Sequence, residues 1–231
     1  MSGSPTILLV HGSWHGPWCF EYLEAELARQ GFAAKSVALP SVGSSPQDLG
    51  TFGDDARVVA DAAAAIDGPV LVVGHSYGGA VVSEAAFAAN LQRLVFLGAF
   101  MPDTGRSYVS YLPPGPLPPY VELRADGTFA VPEGQATPYF YPDCSLEIAE
   151  AAAQKLRPQS QQVMVPVIAE ASWRNYPSTY VVLTQDRVLP PDLQRAFAAQ
   201  ANDIRELESS HSPFLSKPGE LAALLIDIAG N

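Results

Sequence analysis

The chain has 231 residues, of which 48% are hydrophobic and 16% are charged. A chain of this length and composition can bury a substantial core and is most simply one globular domain, which excludes disordered and fibrous classes. Its 13 basic and 24 acidic residues give a net charge of −11, so the surface should repel nucleic-acid phosphates and anionic lipids, and neither nucleic acid nor a membrane is an expected partner.

Strand-like and helix-like patterns alternate along most of the chain. Apolar, β-branched runs predict six strands, and stretches with helical spacing lie between them. Strands that are apolar on both faces and alternate with helices are typical of a parallel sheet covered on both sides. The predicted fold class is therefore α/β, with a doubly wound, six-stranded, mainly parallel sheet flanked by helices. The predicted strands are residues 6–11, 34–39, 69–74, 92–99, 178–183 and 203–208, and the predicted helices are residues 18–30, 53–66, 77–89, 191–201 and 217–229.

A proline-rich segment interrupts this alternation. Nine of the 21 prolines lie in residues 101–142, which excludes a central strand or a long helix there. Within it, the dipeptide Asp126-Gly127 between strand-forming residues predicts a β-hairpin over residues 121–131. We interpret the interruption as an insertion that covers one edge of the sheet. The remaining predictions are helices at residues 145–157 and 159–170, a cap at residues 101–175, and a core formed by residues 1–100 and 176–231.

The start of the chain bears on where the protein is located. No basic segment precedes an apolar run there, so no secretory signal is expected and the predicted location is the cytoplasm. No apolar stretch approaches the roughly 18 residues that a membrane-spanning helix needs. In a reducing compartment, Cys19 and Cys144 are expected to remain free thiols.

A G-x-S-x-G motif lies between the third predicted strand and the helix that follows it. This strand–turn–helix context is the one in which the motif forms a nucleophile elbow, and it makes Ser76 the candidate nucleophile. Gly74 and Gly78 lack the Cβ atoms that would clash in such a tight turn. The turn should hold the serine in a strained conformation near the helix N-terminus, whose dipole favours negative charge.

A serine hydroxyl needs a base to accept its proton, and the chain offers four histidines. His75 adjoins the serine, so its side chain leaves the elbow in another direction. His11 and His15 flank the loop after the first strand and are better placed to shape that loop. His211 lies between the last strand and the last helix and is therefore the candidate base.

The acid that orients the base should end a strand and lie between the serine and the histidine in the chain. Asp186 meets both conditions. Asp103, after the fourth strand, is a second position at which hydrolases place this residue. Asp192 and Asp203 fit less well, because one lies within a helix and the other begins a strand.

An oxyanion hole needs two backbone N–H groups that face the developing negative charge. The residue after the nucleophile, Tyr77, supplies one of them. Gly12 frees the backbone of the loop after the first strand, and the Ser13 N–H is the candidate for the second. The spacing of glycines, cysteines and histidines matches no dinucleotide-binding, P-loop or zinc motif, so neither a cofactor nor a metal is predicted.

Four segments together resemble the α/β-hydrolase superfamily: residues 8–18, 74–79, 184–186 and 211–218. They are most similar to the branch that contains plant methyl esterases, hydroxynitrile lyases and their bacterial relatives. The resemblance extends over nearly the whole chain, is specific in the core and is weak in the cap. It implies an α/β-hydrolase fold, a catalytic triad of Ser76, Asp186 and His211, and oxyanion amides from Ser13 and Tyr77.

Two positions distinguish the activities within this branch. Lyases of the plant type carry a threonine directly after the first-strand histidine and a lysine directly after the catalytic histidine. Here these positions hold Gly12 and Ser212, and without the lysine no side chain is expected to stabilise a cyanide leaving group. The resemblance therefore favours an esterase.

The sequence thus predicts a serine carboxylesterase that hydrolyses small to medium apolar or aromatic esters, methyl esters included, through an acyl-enzyme on Ser76. Its expected partner is a small-molecule ester, and the oligomeric state is open, a homodimer included. The alternatives are a hydroxynitrile lyase, lactonase, thioesterase or C–C bond hydrolase with the same triad, and a ligand-binding protein of the same fold without turnover. Aromatic side chains in and around the cap are expected to line the pocket. The predicted substrate-binding residues are Trp14, Phe100, Tyr139 and Trp173, and the cap also carries Tyr108, Tyr111, Phe140 and Tyr141.

Overall fold

The structure, a computed structural model, describes residues 4–230. Within this range the strands form one large and one small sheet. The strands are β1 Thr6–Val10, β2 Ala34–Val37, β3 Val70–His75, β4 Leu91–Leu97, β5 Glu122–Leu123, β6 Thr128–Ala130, β7 Gln159–Ser160, β8 Ser178–Leu183 and β9 Asp203–Leu207.

The large sheet has six strands in the order β2-β1-β3-β4-β8-β9, and every neighbouring pair is parallel. This confirms the predicted α/β fold. β3 and β8 are buried along their whole lengths, as expected for strands with helices on both faces. β2 and β3 lie on opposite sides of β1, so the carboxyl ends of β1 and β3 form a topological switch point, where open α/β sheets bind ligands.

Helices cover both faces of this sheet. α2 begins at a capping box, in which Thr51 Oγ1 accepts a hydrogen bond from the Asp54 N–H (3.3 Å) and Asp54 Oδ2 accepts one from the Thr51 N–H (2.9 Å). α1 packs against α8, and α2 packs against α3. The helices are α1 Glu21–Arg29, α2 Phe52–Ala64, α3 Tyr77–Glu84, α4 Ala136–Phe140, α5 Leu146–Lys155, α6 Pro191–Ala198, α7 Pro213–Ser216 and α8 Pro218–Gly230.

The helix after the elbow is shorter than predicted, because it ends at Glu84 and not at residue 89. Ala85 is already extended. The Ser172 hydroxyl donates to the Val82 carbonyl (2.6 Å), and the Tyr176 hydroxyl donates to the Phe87 carbonyl (2.9 Å). These two side chains come from a distant part of the chain and bind carbonyls near the end of α3. The helix propensity of residues 77–89 therefore could not predict where this helix ends.

The residues between β4 and β8, called the cap below, contain the small antiparallel sheet β5-β6-β7. The predicted hairpin is present as β5 and β6, with Glu122 opposite Ala130. The predicted helix at residues 159–170 is wrong, because Gln159 instead pairs with Phe129 and begins a strand. α4 was not predicted, since it contains Pro138; that proline lies in the first helical turn, where no intrahelical N–H is required.

Two further expectations concern membrane-spanning helices and the state of the two cysteines. Within residues 4–230, no helix combines the length and the apolar character needed to cross a bilayer. Both cysteines are free, as predicted. Cys19 is buried in the core, and burial raises the pKa of its thiol well above the ordinary value.

Candidate active site

Ser76 joins β3 to α3 in a strained backbone conformation, with φ 53° and ψ −121°. The glycines around it are required by close backbone approaches. A Cβ at Gly78 would lie 2.5 Å from the Val10 carbonyl oxygen, and one at Gly79 would lie 2.2 Å from the Phe100 carbonyl oxygen. The elbow therefore packs closely between the ends of β1 and β4, and Ser76 is 8% exposed.

His211 and Asp186 form a buried pair at the carboxyl end of the sheet. His211 Nδ1 lies 2.8 Å from Asp186 Oδ2. Because a carboxylate oxygen accepts, Nδ1 carries the proton and Nε2 is left as the acceptor that a general base requires. Asp186 Oδ1 accepts the N–H groups of Val188 (2.7 Å) and Leu189 (3.1 Å), and Gln194 Nε2 donates to Oδ2 (2.9 Å). The carboxylate is thus held by hydrogen bonds at both oxygens.

The other three candidate acids lie elsewhere among the described residues. Asp103 is paired with Arg174 at the surface (2.5 Å). Asp192 and Asp203 likewise lie beside arginines in exposed or half-exposed positions. The geometry therefore brings Asp186 to His211 and leaves the alternatives away from it.

His75 connects the elbow to the loop that carries His211. The rings of the two histidines are 4.6 Å apart, and His75 Nε2 donates to the His211 carbonyl oxygen (2.8 Å). In the described part of the chain the Ser76 hydroxyl forms no hydrogen bond with His211; contacts between a nucleophile and a base are often long until a substrate is bound. The three side chains are thus brought to one end of the sheet, with His75 fixing the backbone of the base.

The remaining histidines are buried and neutral. Burial lowers the pKa of His11 to about 4 and the pKa of His15 to about 3. Burial, together with the neighbouring His211, also lowers the pKa of His75 well below its ordinary value. Of the four histidines, His211 is the one that contacts a carboxylate.

The loop after β1 carries the Ser13 N–H, one of the two predicted oxyanion amides. His11 Nδ1 donates to the Gly12 carbonyl oxygen (2.9 Å), and His11 Nε2 accepts the Leu39 N–H (3.2 Å). The Gly12 carbonyl and the Ser13 N–H belong to one trans peptide group and point in opposite directions. The hydrogen bond to the carbonyl therefore also fixes the direction of the Ser13 N–H. Within residues 4–230 neither the Ser13 N–H nor the Tyr77 N–H has a hydrogen-bond partner, so both are free to bind an oxyanion.

The four predicted substrate-binding residues do not form one group. Trp14 packs edge-on against Phe140 (5.7 Å between ring centroids), and Phe140 lies 5.9 Å from the His211 ring. Tyr139 packs at a tilt against Tyr120, which packs against Phe140. Phe100 instead packs against Tyr108 and Phe197, and Trp173 donates its indole N–H to the Pro102 carbonyl oxygen. Phe140 therefore packs beside the candidate base, although sequence reasoning counted it only among the cap aromatics.

Two polar residues near the site were missed by sequence reasoning. Gln194, fully buried on α6, also accepts the Leu183 N–H with Oε1 (2.8 Å) and so fixes Asp186 relative to β8. Asp55, fully buried on α2, accepts hydrogen bonds from the Tyr77 hydroxyl (2.7 Å) and from the Ser41 hydroxyl (2.6 Å). Neither residue belongs to a recognisable motif, so no local signal could have identified them.

Residues 4–230 contain neither a metal centre nor, in the cavity at the amino ends of the strands, a second catalytic pair. Within residues 4–230, no cluster of three or more His, Cys, Asp or Glu side chains could hold a metal ion. A cavity of about 420 Å³ lies at the amino ends of the strands, beside Gln92 and Pro177. This is the end of the sheet opposite to Ser76. Its lining residues include neither a nucleophile nor a base.

Known proteins match the chain over nearly its whole length. A family model described as "Alpha/beta hydrolase family" matches residues 7–224. Methylesterase 7 of Arabidopsis thaliana is 28% identical over 96% of this chain and 95% of that protein. Esterase PIR7B of Oryza sativa subsp. japonica is 29% identical over 99% of this chain and 97% of that protein. The crystal structure of polyneuridine aldehyde esterase is 23% identical and superposes with a TM-score of 0.85, covering 98% of this chain and all (100%) of that one.

Proposed function

The chain belongs to the alpha/beta hydrolase family, and on that basis we propose that it is a serine carboxylesterase that uses Ser76, Asp186 and His211. The relatives include several plant methylesterases, which confirms the predicted resemblance to that branch. The observation that carries the proposal is the 2.8 Å contact between His211 and Asp186 at the same end of the sheet as the strained serine.

In this mechanism the Ser76 hydroxyl attacks the ester carbonyl carbon while His211 Nε2 accepts its proton. The carbonyl oxygen becomes an oxyanion, which the N–H groups of Ser13 and Tyr77 bind. The intermediate collapses, the C–O bond to the alcohol breaks, and His211 returns the proton to the leaving alkoxide. Water then attacks the acyl-enzyme with the same base and releases the carboxylic acid. Asp186 keeps the imidazole in the required tautomer throughout.

The space beside Ser76 supports an esterase over a hydroxynitrile lyase of the plant type. A Cβ at Gly12 would lie 2.9 Å from Ser76 Cβ and 3.1 Å from His75 Nδ1, so the threonine of those lyases would not fit without a shift of His75. Ser212 stands where they carry a lysine. The relatives named above are esterases by name, and a free pair of oxyanion amides fits acyl transfer.

The aromatic rings around His211 support an apolar or aromatic substrate of small to medium size. Trp14, Phe140 and Tyr120 are buried side chains of this group, and such a lining favours apolar acyl or alcohol groups. The net charge of −11 disfavours anionic macromolecules as partners. The cytoplasmic location and the homodimer stay predictions.

The proposed function is tested by replacing the nucleophile. Ser76→Ala should lower kcat for short p-nitrophenyl and methyl esters by at least about 1000-fold, because no other group forms the acyl-enzyme. Ser83→Ala is the matched control, since Ser83 is also buried on α3 but bonds only to the Gly79 carbonyl. A fluorophosphonate probe should label the peptide that contains Ser76. Unchanged hydrolysis by Ser76→Ala, or cleavage of cyanohydrins faster than of esters, would refute the proposal.

A further inference from the structure

One short segment of the cap, residues 140–143, contacts both halves of the proposed catalytic centre. Tyr141 reaches the loop after β1. Its hydroxyl bonds to His15 Nε2 (2.8 Å), and His15 Nδ1 bonds to the Ser13 carbonyl oxygen (2.8 Å). Because a carbonyl only accepts, Nδ1 is the donor, and Nε2 must accept the tyrosine proton. A buried chain of two hydrogen bonds therefore joins the cap to the residue that carries the proposed oxyanion amide.

Two residues further on, Asp143 contacts the loop that carries the base. Its Oδ2 accepts the Ser210 N–H (2.9 Å) and the hydroxyls of Ser209 (3.1 Å) and Ser216 (3.1 Å), and its Oδ1 accepts the Ser210 hydroxyl. Although burial alone would raise the pKa of Asp143, these hydrogen bonds hold it below its ordinary value. The carboxylate thus binds the backbone and side chain of the residue directly before His211.

Phe140 completes the contact from the same segment. Its ring is 1% exposed and lies 5.9 Å from the imidazole of His211. The imidazole therefore has the Asp186 carboxylate at Nδ1 and an apolar ring from the cap beside it. These contacts come from four consecutive residues of the cap, so the cap cannot shift here without disturbing both the base loop and the oxyanion loop.

We propose that Tyr141 and Asp143 are positioning residues, through which the docked cap sets the geometry of the oxyanion loop and of the His211 loop for ester hydrolysis. This inference rests on the proposed function. Tyr141 acts through His15 on the Ser13 backbone, and Asp143 acts through Ser210 on the backbone of the base. Neither residue is required to touch the reacting atoms. Reactive groups must be held to within a fraction of an ångström, so loosening either loop should slow the chemical step.

Tyr141→Phe removes one hydroxyl and leaves His15 Nε2 buried without a partner. The ring can then turn or exchange its proton, and the Ser13 backbone loses its anchor. We expect kcat for a short p-nitrophenyl ester to fall about tenfold with KM unchanged, because the oxyanion exists only after attack. Tyr176→Phe is the matched control, since that hydroxyl donates to the Phe87 carbonyl (2.9 Å) and to neither loop. In nitrogen NMR spectra, Tyr141→Phe should shift the His15 ring signals and leave those of His11 in place.

Asp143→Ala removes three hydrogen bonds to the base loop and one to Ser216 at the end of α7, whereas Asp143→Asn keeps one oxygen as an acceptor. We expect kcat to fall about 100-fold for alanine and about tenfold for asparagine. Asp126→Ala is the control, because Asp126 binds the N–H and hydroxyl of Thr128 in the same manner at the hairpin turn and bonds to neither loop. If the alanine variant does not fold, the asparagine variant and Tyr141→Phe carry the test.

The outcomes separate this inference from the function on which it rests. If Ser76→Ala abolishes hydrolysis while Tyr141→Phe and Asp143→Asn keep the kcat of the original protein, the positioning roles are refuted and the esterase stands. A rise in KM with unchanged kcat would also overturn them, because it would indicate substrate contact. If Ser76→Ala still hydrolyses the ester, the proposed function itself fails.

Discussion

Asp55 is a fully buried carboxyl group whose replacement by asparagine should change how stability depends on pH. It accepts the Ser41 N–H (2.9 Å), the Ser41 hydroxyl (2.6 Å) and the Tyr77 hydroxyl (2.7 Å). Burial nevertheless dominates these hydrogen bonds and raises the pKa of Asp55 from its ordinary 3.8 to about 6. The charged form is therefore disfavoured in the folded protein relative to the unfolded chain.

The size and sign of the effect follow from this difference. A shift from 3.8 to about 6, at 1.36 kcal/mol for each pH unit, corresponds to about 3 kcal/mol. Because the folded pKa of Asp55 is the higher one, its contribution to stability is fully present below pH 3.8 and is lost as pH rises through about 6. Asparagine cannot ionise, so the free energy of unfolding of Asp55→Asn should gain about 3 kcal/mol relative to the original protein between pH 3.5 and pH 7.5.

Urea unfolding at several pH values across this window measures the difference directly. The constant cost of altered hydrogen bonds at Ser41 and Tyr77 cancels, because only the change of the difference with pH is compared. Asp61→Asn, on the exposed side of the same helix, is the matched control for removing a carboxylate from α2. A difference between Asp55→Asn and the original protein that stays constant from pH 3.5 to pH 7.5 would show that burial does not perturb this group.

Two other predictions use matched substitutions. Asp186→Asn should lower kcat by about 1000-fold or more, because the wrong tautomer of the base is then favoured. Asp103→Asn removes only an exposed ion pair and should keep kcat. Equal losses of kcat for the two variants in steady-state assays would contradict the assignment of the acid. Gly79→Ala should destabilise the protein by about 3 kcal/mol, because its Cβ meets the Phe100 carbonyl oxygen at 2.2 Å. Gly53→Ala in α2 is the control, because its Cβ would lie 3.8 Å from Thr51 Oγ1. It should be neutral or stabilising in urea titrations. Similar urea unfolding midpoints for the two variants would rule out the clash.

The large sheet could be predicted from sequence because its signals are local. The run from Val70 to Val73 is apolar at every position, which occurs in strands that are covered on both faces. The cap was harder, because its elements depend on distant partners. Gln159 begins a strand since Phe129 and Val42 lie beside it, and a neighbour 30 or more residues away leaves no periodic pattern.

The same distinction holds within the candidate site. Ser76 lies in a motif of five residues, and the strain of its turn dictates the glycines around it, so a local pattern identifies it. Gln194 and Asp143 act through bonds to loops that only the fold brings near. Trp173 was predicted as a pocket residue from its type and its place near the cap; its indole N–H is bound to the Pro102 carbonyl, and its contact with substrate stays a prediction. Residue type alone does not tell a packing aromatic from a substrate contact.

The four histidines show how one residue type serves both as a structural residue and as the proposed catalytic base. His11, His15 and His75 each donate a ring N–H to a backbone carbonyl, at Gly12, Ser13 and His211 respectively. Burial lowers the pKa of all three rings and outweighs these hydrogen bonds, which alone would raise it, so the three rings stay neutral. His211 is equally buried, but its partner is the Asp186 carboxylate, which would stabilise the imidazolium formed in the proposed mechanism. The partner of the ring therefore supports His211 as the proposed base, while the other three histidines bind the backbone around it.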